Sequence, residues 1–112
     1  FHPLLYQKEL LDFCKENNII ITSYSPLARG KVFQEPVLKN IAEKYNKTAG
    51  QIALRWLLEK ETIVIPKASS EAHLTENIEI LNFKLQSNDI KKIDNIKEHH
   101  RLVNPDFAEF DY

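Results

Sequence analysis

Lys67, Ser69 and Ser70 stand close together in Ile65-Pro66-Lys67-Ala68-Ser69-Ser70-Glu71-Ala72-His73-Leu74-Thr75-Glu76-Asn77, where an apolar run meets a proline and a helical pattern begins. That combination can hold a phosphate. A helix N-terminus offers free N–H groups and the positive end of its dipole, the serine hydroxyls add donors, and the lysine adds a mobile full charge. Serine also caps ordinary helices, so a capped helix beside a solvated lysine accounts for the same residues equally well. Elsewhere the chemistry is sparser. Cys14 is the only cysteine, which excludes an intrachain disulfide and reads as a small buried hydrophobe. His99 and His100 lie on a polar segment without ligands at metal spacing, and Asp89, Asp94 and Glu98 read as a solvated helical face, so no metal site is expected.

The elements that must position these residues follow from periodicity. Tyr6, Leu10, Phe13 and Cys14 recur at helical spacing and predict a helix from Tyr6 to Asn17, with those residues as its apolar face. Ile19 to Tyr24 is β-branched and lacks polar alternation, which predicts a strand buried on both faces, as in parallel sheets. Ser25-Pro26-Leu27-Ala28-Arg29-Gly30-Lys31 then reads as a loop leaving that strand's C-terminal end. A helix is expected from Pro36 to Tyr45, with Val37, Leu38, Ile41, Ala42 and Tyr45 on one face. Thr48-Ala49-Gly50-Gln51 matches a capping box, opening a helix with the stripe Ile52, Ala53, Trp56 and Leu57. Thr62 to Ile65 is a second buried strand, stopped by Pro66. Ser69 and Ser70 can cap a helix bearing Leu74, Ile78 and Leu81, and Ser87 can cap a last one bearing Ile90, Ile93 and Ile96. Residues 99–112 lack periodicity, and Phe107, Phe110 and Tyr112 are expected to anchor them to a surface.

Two parallel strands cannot close a core alone, so the order helix, strand, two helices, strand, two helices describes a slice of a larger α/β fold. The chain starts at Phe1, and Phe1-His2-Pro3 reads like the end of a strand, so the natural start is expected upstream. With 43% apolar and 28% charged residues and a net charge of −1, the chain has a core-forming balance but no single-sign field to attract nucleic acid or an anionic membrane. No apolar run approaches the roughly 20 residues that span a bilayer. With its lone cysteine, the chain is expected to be cytoplasmic.

The stretch from Ile65 to Asn77 resembles the C-terminal signature of the aldo-keto reductases. The likeness extends through Phe1-His2-Pro3, Gln7-Lys8-Glu9-Leu10, Ile21-Thr22-Ser23-Tyr24-Ser25-Pro26-Leu27, Ala42-Glu43-Lys44-Tyr45 and Asn82-Phe83-Lys84-Leu85 with Ser87 and Asp89. The resemblance implies a partial domain over residues 1–112, the C-terminal portion of a (β/α)8 TIM barrel with its last two strands, their helices and two extra helices. His2 would then pack beneath the barrel rim. Barrels of this kind hold phosphate in the loops after their last two strands.

The resemblance also implies a cofactor, NADP(H), with NAD(H) as a second candidate, and a small-molecule carbonyl substrate. Tyr24 matches the aromatic that stacks on nicotinamide, and Ser25 and Leu27 match positions along the pyrophosphate. Lys67 matches the lysine facing the 2′-phosphate, Ser69 and Ser70 its neighbours, and Glu76 and Asn77 residues touching adenine. Two positions depart from the pattern. Ala68 replaces a hydroxyl residue, and His73 replaces an arginine that stacks on adenine and pairs with the 2′-phosphate. Histidine is smaller, lacks the guanidinium fork and carries little charge near neutral pH. Weaker discrimination between NADPH and NADH is therefore expected, improving at lower pH.

In that family a tyrosine, lysine, aspartate and histidine from the earlier half of the barrel carry catalysis. Tyr6, Tyr24, Tyr45 and Tyr112 do not match the catalytic position, so no residue here is assigned a catalytic role. Three hypotheses follow: part of an active NAD(P)H-dependent reductase, a nucleotide-binding module without chemistry, or a structural remnant whose open edges drive association.

Overall fold

The computed structural model describes residues 1–108. It contains helix α1 (Lys8–Glu16), strand β1 (Thr22–Ser23), a 3-10 segment (Ala28–Gln34), helices α2 (Pro36–Tyr45) and α3 (Ala49–Glu59), strand β2 (Ile63–Val64), helix α4 (Glu71–Ile78), a 3-10 turn (Glu79–Asn82) and helix α5 (Ser87–Asp94). The strands pair in parallel, Thr22 opposite Ile63 and Ser23 opposite Val64. This is the expected element order, so both strands deliver their following loops to the same end.

The core gathers on α3, where Ile52, Ala53, Trp56 and Leu57 are all fully buried. Thr48 caps this helix as the box predicts: its hydroxyl accepts from Gln51 N–H while the Gln51 side chain accepts from Thr48 N–H, both at 3.1 Å. Leu38, Ile41 and Ala42 of α2 and Ile93 of α5 complete the packing. Cys14 is buried. His2 is also buried, and burial above all pushes its imidazole down to about 4, so it is neutral at ordinary pH.

Several expectations need correction. In α1 the buried residues are Leu11 and Cys14, whereas Leu10 and Phe13 are exposed, because the helix meets the core along a narrower stripe than its apolar residues define. The strands are short and not buried on both faces: Ile20 is 67% exposed, and Ile63 and Ile65 are also open, since no further strand lies beside them among the described residues. Leu74, Ile78 and Leu81 are each more than 60% exposed for the same reason. Gln86, not Ser87, precedes α5, and no side chain caps it. Phe107 is 92% exposed and anchors nothing; Phe110 and Tyr112 lie outside the described residues.

The largest correction concerns the acids. Asp89 is not on a solvated face, because its side chain is 1% exposed and is bound at 2.6 Å by Lys44 Nζ. The Tyr45 hydroxyl donates to the same oxygen at 2.7 Å while accepting from Gln86 N–H at 2.8 Å. Lys92 lies 3.6 Å from the other carboxylate oxygen. Asp94 is also engaged, accepting from the Trp56 indole N–H at 2.8 Å and from Lys60 at 2.7 Å. Glu98, in contrast, is exposed. These bonds fasten α5 to α2 and α3.

Burial alone would raise the Asp89 carboxyl, but the hydrogen bonds from Lys44 and Tyr45, with the charges of Lys44 and Lys92, hold it below the usual aspartate value. A lowered folded-state value means that its stabilisation is complete above the ordinary value of about 4 and is lost as pH falls through the folded value. Replacing Asp89 by alanine should therefore destabilise the chain by about 2–4 kcal/mol at pH 7. In urea unfolding, that difference should narrow once the pH is below about 4.

Candidate functional site

Parallel pairing brings the two loops of interest to one edge, with Ile63 N–H donating to Ile21 O at 2.9 Å and Ile65 N–H to Ser23 O at 3.5 Å. The chain leaving β1 presents Tyr24, which is about half exposed, and then turns through Ser25, Ala28, Arg29 and Gly30, all at positive φ. Only Gly30 takes such angles without a side-chain clash. The turn persists because its inner side is anchored: Ala28 and Val32 are fully buried. Phe33 also lies against the first turn of α3, where a Cβ on Gly50 would come within 2.9 Å of its ring and 3.6 Å of Leu27.

The chain leaving β2 passes Pro66 and presents Lys67 and Ser69 to solvent before α4 begins. Ser70 is the cap, its hydroxyl accepting from His73 N–H at 3.2 Å, and its own hydrogen remains available to donate outward. His73 is exposed on the first turn, and Glu76 and Asn77 are half-buried. Glu76 is held firmly: its carboxylate accepts from the Thr48 hydroxyl at 2.5 Å and its carbonyl from Gln51 Nε2 at 2.9 Å. Gln51 also reaches Glu79 at 3.3 Å. The α3 capping box thus doubles as a clamp on α4.

The N-terminus of α3 therefore touches both loop systems, Leu27 and Phe33 on one side and Glu76 on the other. Tyr24, Ser25, Leu27, Lys67, Ser69, Ser70, His73, Glu76 and Asn77 all fall on these two loops and on α4, which follows the second. Sequence reasoning found the capping box but missed its second task, and it missed the seating of Phe33 on Gly50; the glycine on a helix first turn was the available signal. A separate groove of about 540 Å³ lies between α2 and α5, with Lys44, Asp89 and Lys92 on its walls. Two further tyrosines serve packing: Tyr6 takes a 3.5 Å contact from Lys60 and stacks edge-on to Trp56, and Tyr45 holds Asp89. Among the described residues no group of three His, Cys, Asp or Glu converges as a metal cage, and no helix is long and apolar enough to cross a membrane.

The sequence profile of the Aldo/keto reductase family matches residues 1–98. The chain belongs to this family. It is 42% identical over 112 residues to the uncharacterized oxidoreductase YtbE of Bacillus subtilis (strain 168), covering 100% of this chain and 40% of that protein. Over 107 residues it is 43% identical to the glyoxal reductase of the same organism, covering 95% of this chain and 39% of the relative. The chain thus spans about two-fifths of the length of these relatives. A variant of Gox0644 solved in complex with NADPH superposes with a TM-score of 0.87 at 33% identity, over 98% of this chain and 41% of that one. The fold is the C-terminal portion of the aldo/keto reductase (β/α)8 barrel, its last two strands with their helices and two extra helices, as the resemblance implied.

Within this barrel segment the Gln51 clamp generates a direct expectation. Gln51→Ala should cost about 1–2 kcal/mol by removing half of the capping box and unpairing the Glu76 carbonyl. Hydrogen exchange should then quicken at the α4 amides, His73 included, more than in α2; uniform quickening would contradict the clamp.

Proposed function

We propose that this chain supplies the cofactor-binding loops of an NAD(P)H-dependent aldo/keto reductase that reduces aldehydes or ketones to alcohols. The observation that carries the reading is the convergence of a capped helix N-terminus, two serines and the exposed Lys67 at the same sheet end as Tyr24 and Ser25. Backbone N–H groups, hydroxyls and a mobile ammonium form a donor set suited to phosphate, and a structural relative was solved with NADPH. Residues 1–112 are read as part of a larger barrel domain, because Ile20, Ile63, Leu74, Ile78 and Leu81 offer apolar surface that further strands and helices would cover.

In this reading Lys67, Ser69 and Ser70 hold the 2′-phosphate, and His73, Glu76 and Asn77 bound the adenine. The Thr48 and Gln51 bonds keep Glu76 in place. Ser25 and Leu27 lie along the pyrophosphate, and Tyr24 offers its ring to the nicotinamide. The bound nucleotide supplies hydride to a carbonyl carbon. Proton delivery is assigned to no residue of this chain, since the family's tyrosine, lysine, aspartate and histidine have no counterparts in it. NADP(H) is the favoured cofactor because Lys67 addresses a phosphate that NAD(H) lacks.

Titration with NADPH and NADH in parallel, following nicotinamide emission and energy transfer from Trp56, tests this reading. Lys67→Ala should weaken NADPH binding roughly tenfold or more, the worth of a charge-assisted bond to phosphate, and leave NADH nearly unchanged. His73→Arg should raise the preference for NADPH. Equal losses for both nucleotides in Lys67→Ala, or no change of preference in His73→Arg, would contradict the 2′-phosphate assignment.

A further inference from the structure

The loop after β1 is held on two sides by different parts of the chain. Ser25, Ala28 and Arg29 sit at φ of 46°, 48° and 51°, a region that non-glycine residues enter at a steric penalty and keep only where neighbours over-determine them. Ala28, Val32 and Phe33 secure the inner side. On the outer side Lys31 Nζ lies 3.1 Å from His100 Nδ1, and His100 Nε2 lies 3.1 Å from Glu98 Oε2. An ammonium only donates, so Nδ1 is the acceptor and the ring proton sits on Nε2, donating to Glu98.

His100 is itself anchored. Its backbone N–H donates to Leu4 O at 2.7 Å, and Leu102 packs against the core two residues on. His2 faces it from the N-terminal segment. Glu35 shares with Lys31, Glu98 and His100 the walls of a gap of about 290 Å³ between loop and tail. Segment 98–102 therefore has a fixed place from which to restrain a strained loop.

We infer that His100 is a positioning residue: through Lys31 it fastens segment 98–102 to the loop after β1 and sets how readily that loop opens. One consequence rests on the proposed cofactor role, namely that loosening this latch speeds the escape of bound nicotinamide nucleotide. The latch itself does not depend on that role.

The test is hydrogen exchange on the whole chain without nucleotide, read at the amides of Ala28 and Gly30, which donate to Ser25 O and Leu27 O at 2.9 Å. An exposed charge-assisted pair of this kind should change opening by roughly two- to fivefold. Lys31→Ala and His100→Ala should each quicken exchange by that factor, and the double variant by no more than either alone. His100→Asn should restore near-natural exchange, because its Oδ1 can accept from Lys31 where Nδ1 does. Unchanged exchange in His100→Ala, additive effects in the double variant, or His100→Asn as fast as His100→Ala would overturn the latch. NADPH dissociation, measured in parallel, should quicken in His100→Ala by a similar factor. If exchange responds as expected while the natural chain binds no NADPH, the latch stands and the cofactor reading fails.

Discussion

Helix α3 is apolar nearly all round, and the rest of the structure is arranged to surround it. A helix with this pattern cannot lie on a surface, so α2, α5, β2 and the 3-10 segments must each bury part of it. Its few polar groups then become the ties between elements. Gln51 binds α4, Arg55 donates to the carbonyl of Ile80 at 3.1 Å, and the Trp56 indole donates to Asp94 on α5. Packing supplies the bulk of the stabilisation, and these directional bonds select the orientation in which each neighbour docks.

The candidate site inherits its geometry from this hub. The parallel strands bring two loops to one end, but strands of two residues have little power to orient the loops that leave them. Orientation comes from the N-terminus of α3, where Gly50 leaves room for Phe33 on one side and the capping box clamps Glu76 on the other. The donor groups at Lys67, Ser69 and Ser70 are left free of structural duties, apart from the Ser70 cap. A site with exposed, unengaged donors on a rigidly held frame can accept a charged ligand without first breaking internal bonds.

Much of this fold is legible in the residues because its causes are local. The capping box at Thr48 and Gln51, the loop signals Pro26, Gly30 and Pro66, and the helical spacing of Ile52, Ala53, Trp56 and Leu57 act within a few positions of themselves. The burial of Asp89 is not legible in this way, because its partners, Lys44 and Tyr45, lie more than 40 positions away and nothing in an acidic helix face announces a buried ion pair. The runs from Ile19 to Tyr24 and from Thr62 to Ile65 contain the two strands, which are shorter than the runs, Thr22–Ser23 and Ile63–Val64. They overstate the burial, since no further strand covers them among the described residues. Leu74, Ile78 and Leu81 follow the same logic: the pattern records the surroundings a helix is built for. The assignments of individual site residues rest on resemblance and chemistry, and the fold makes them mutually reachable.

The most direct test of the central claim, that these two loops form a nicotinamide-nucleotide site, is to map backbone amide chemical shifts as NADPH is added. Saturable shifts are expected, concentrated at Tyr24, Ser25, Leu27 and the run from Lys67 to Asn77. Shifts gathered in the groove between α2 and α5, or scattered without saturation, would contradict it.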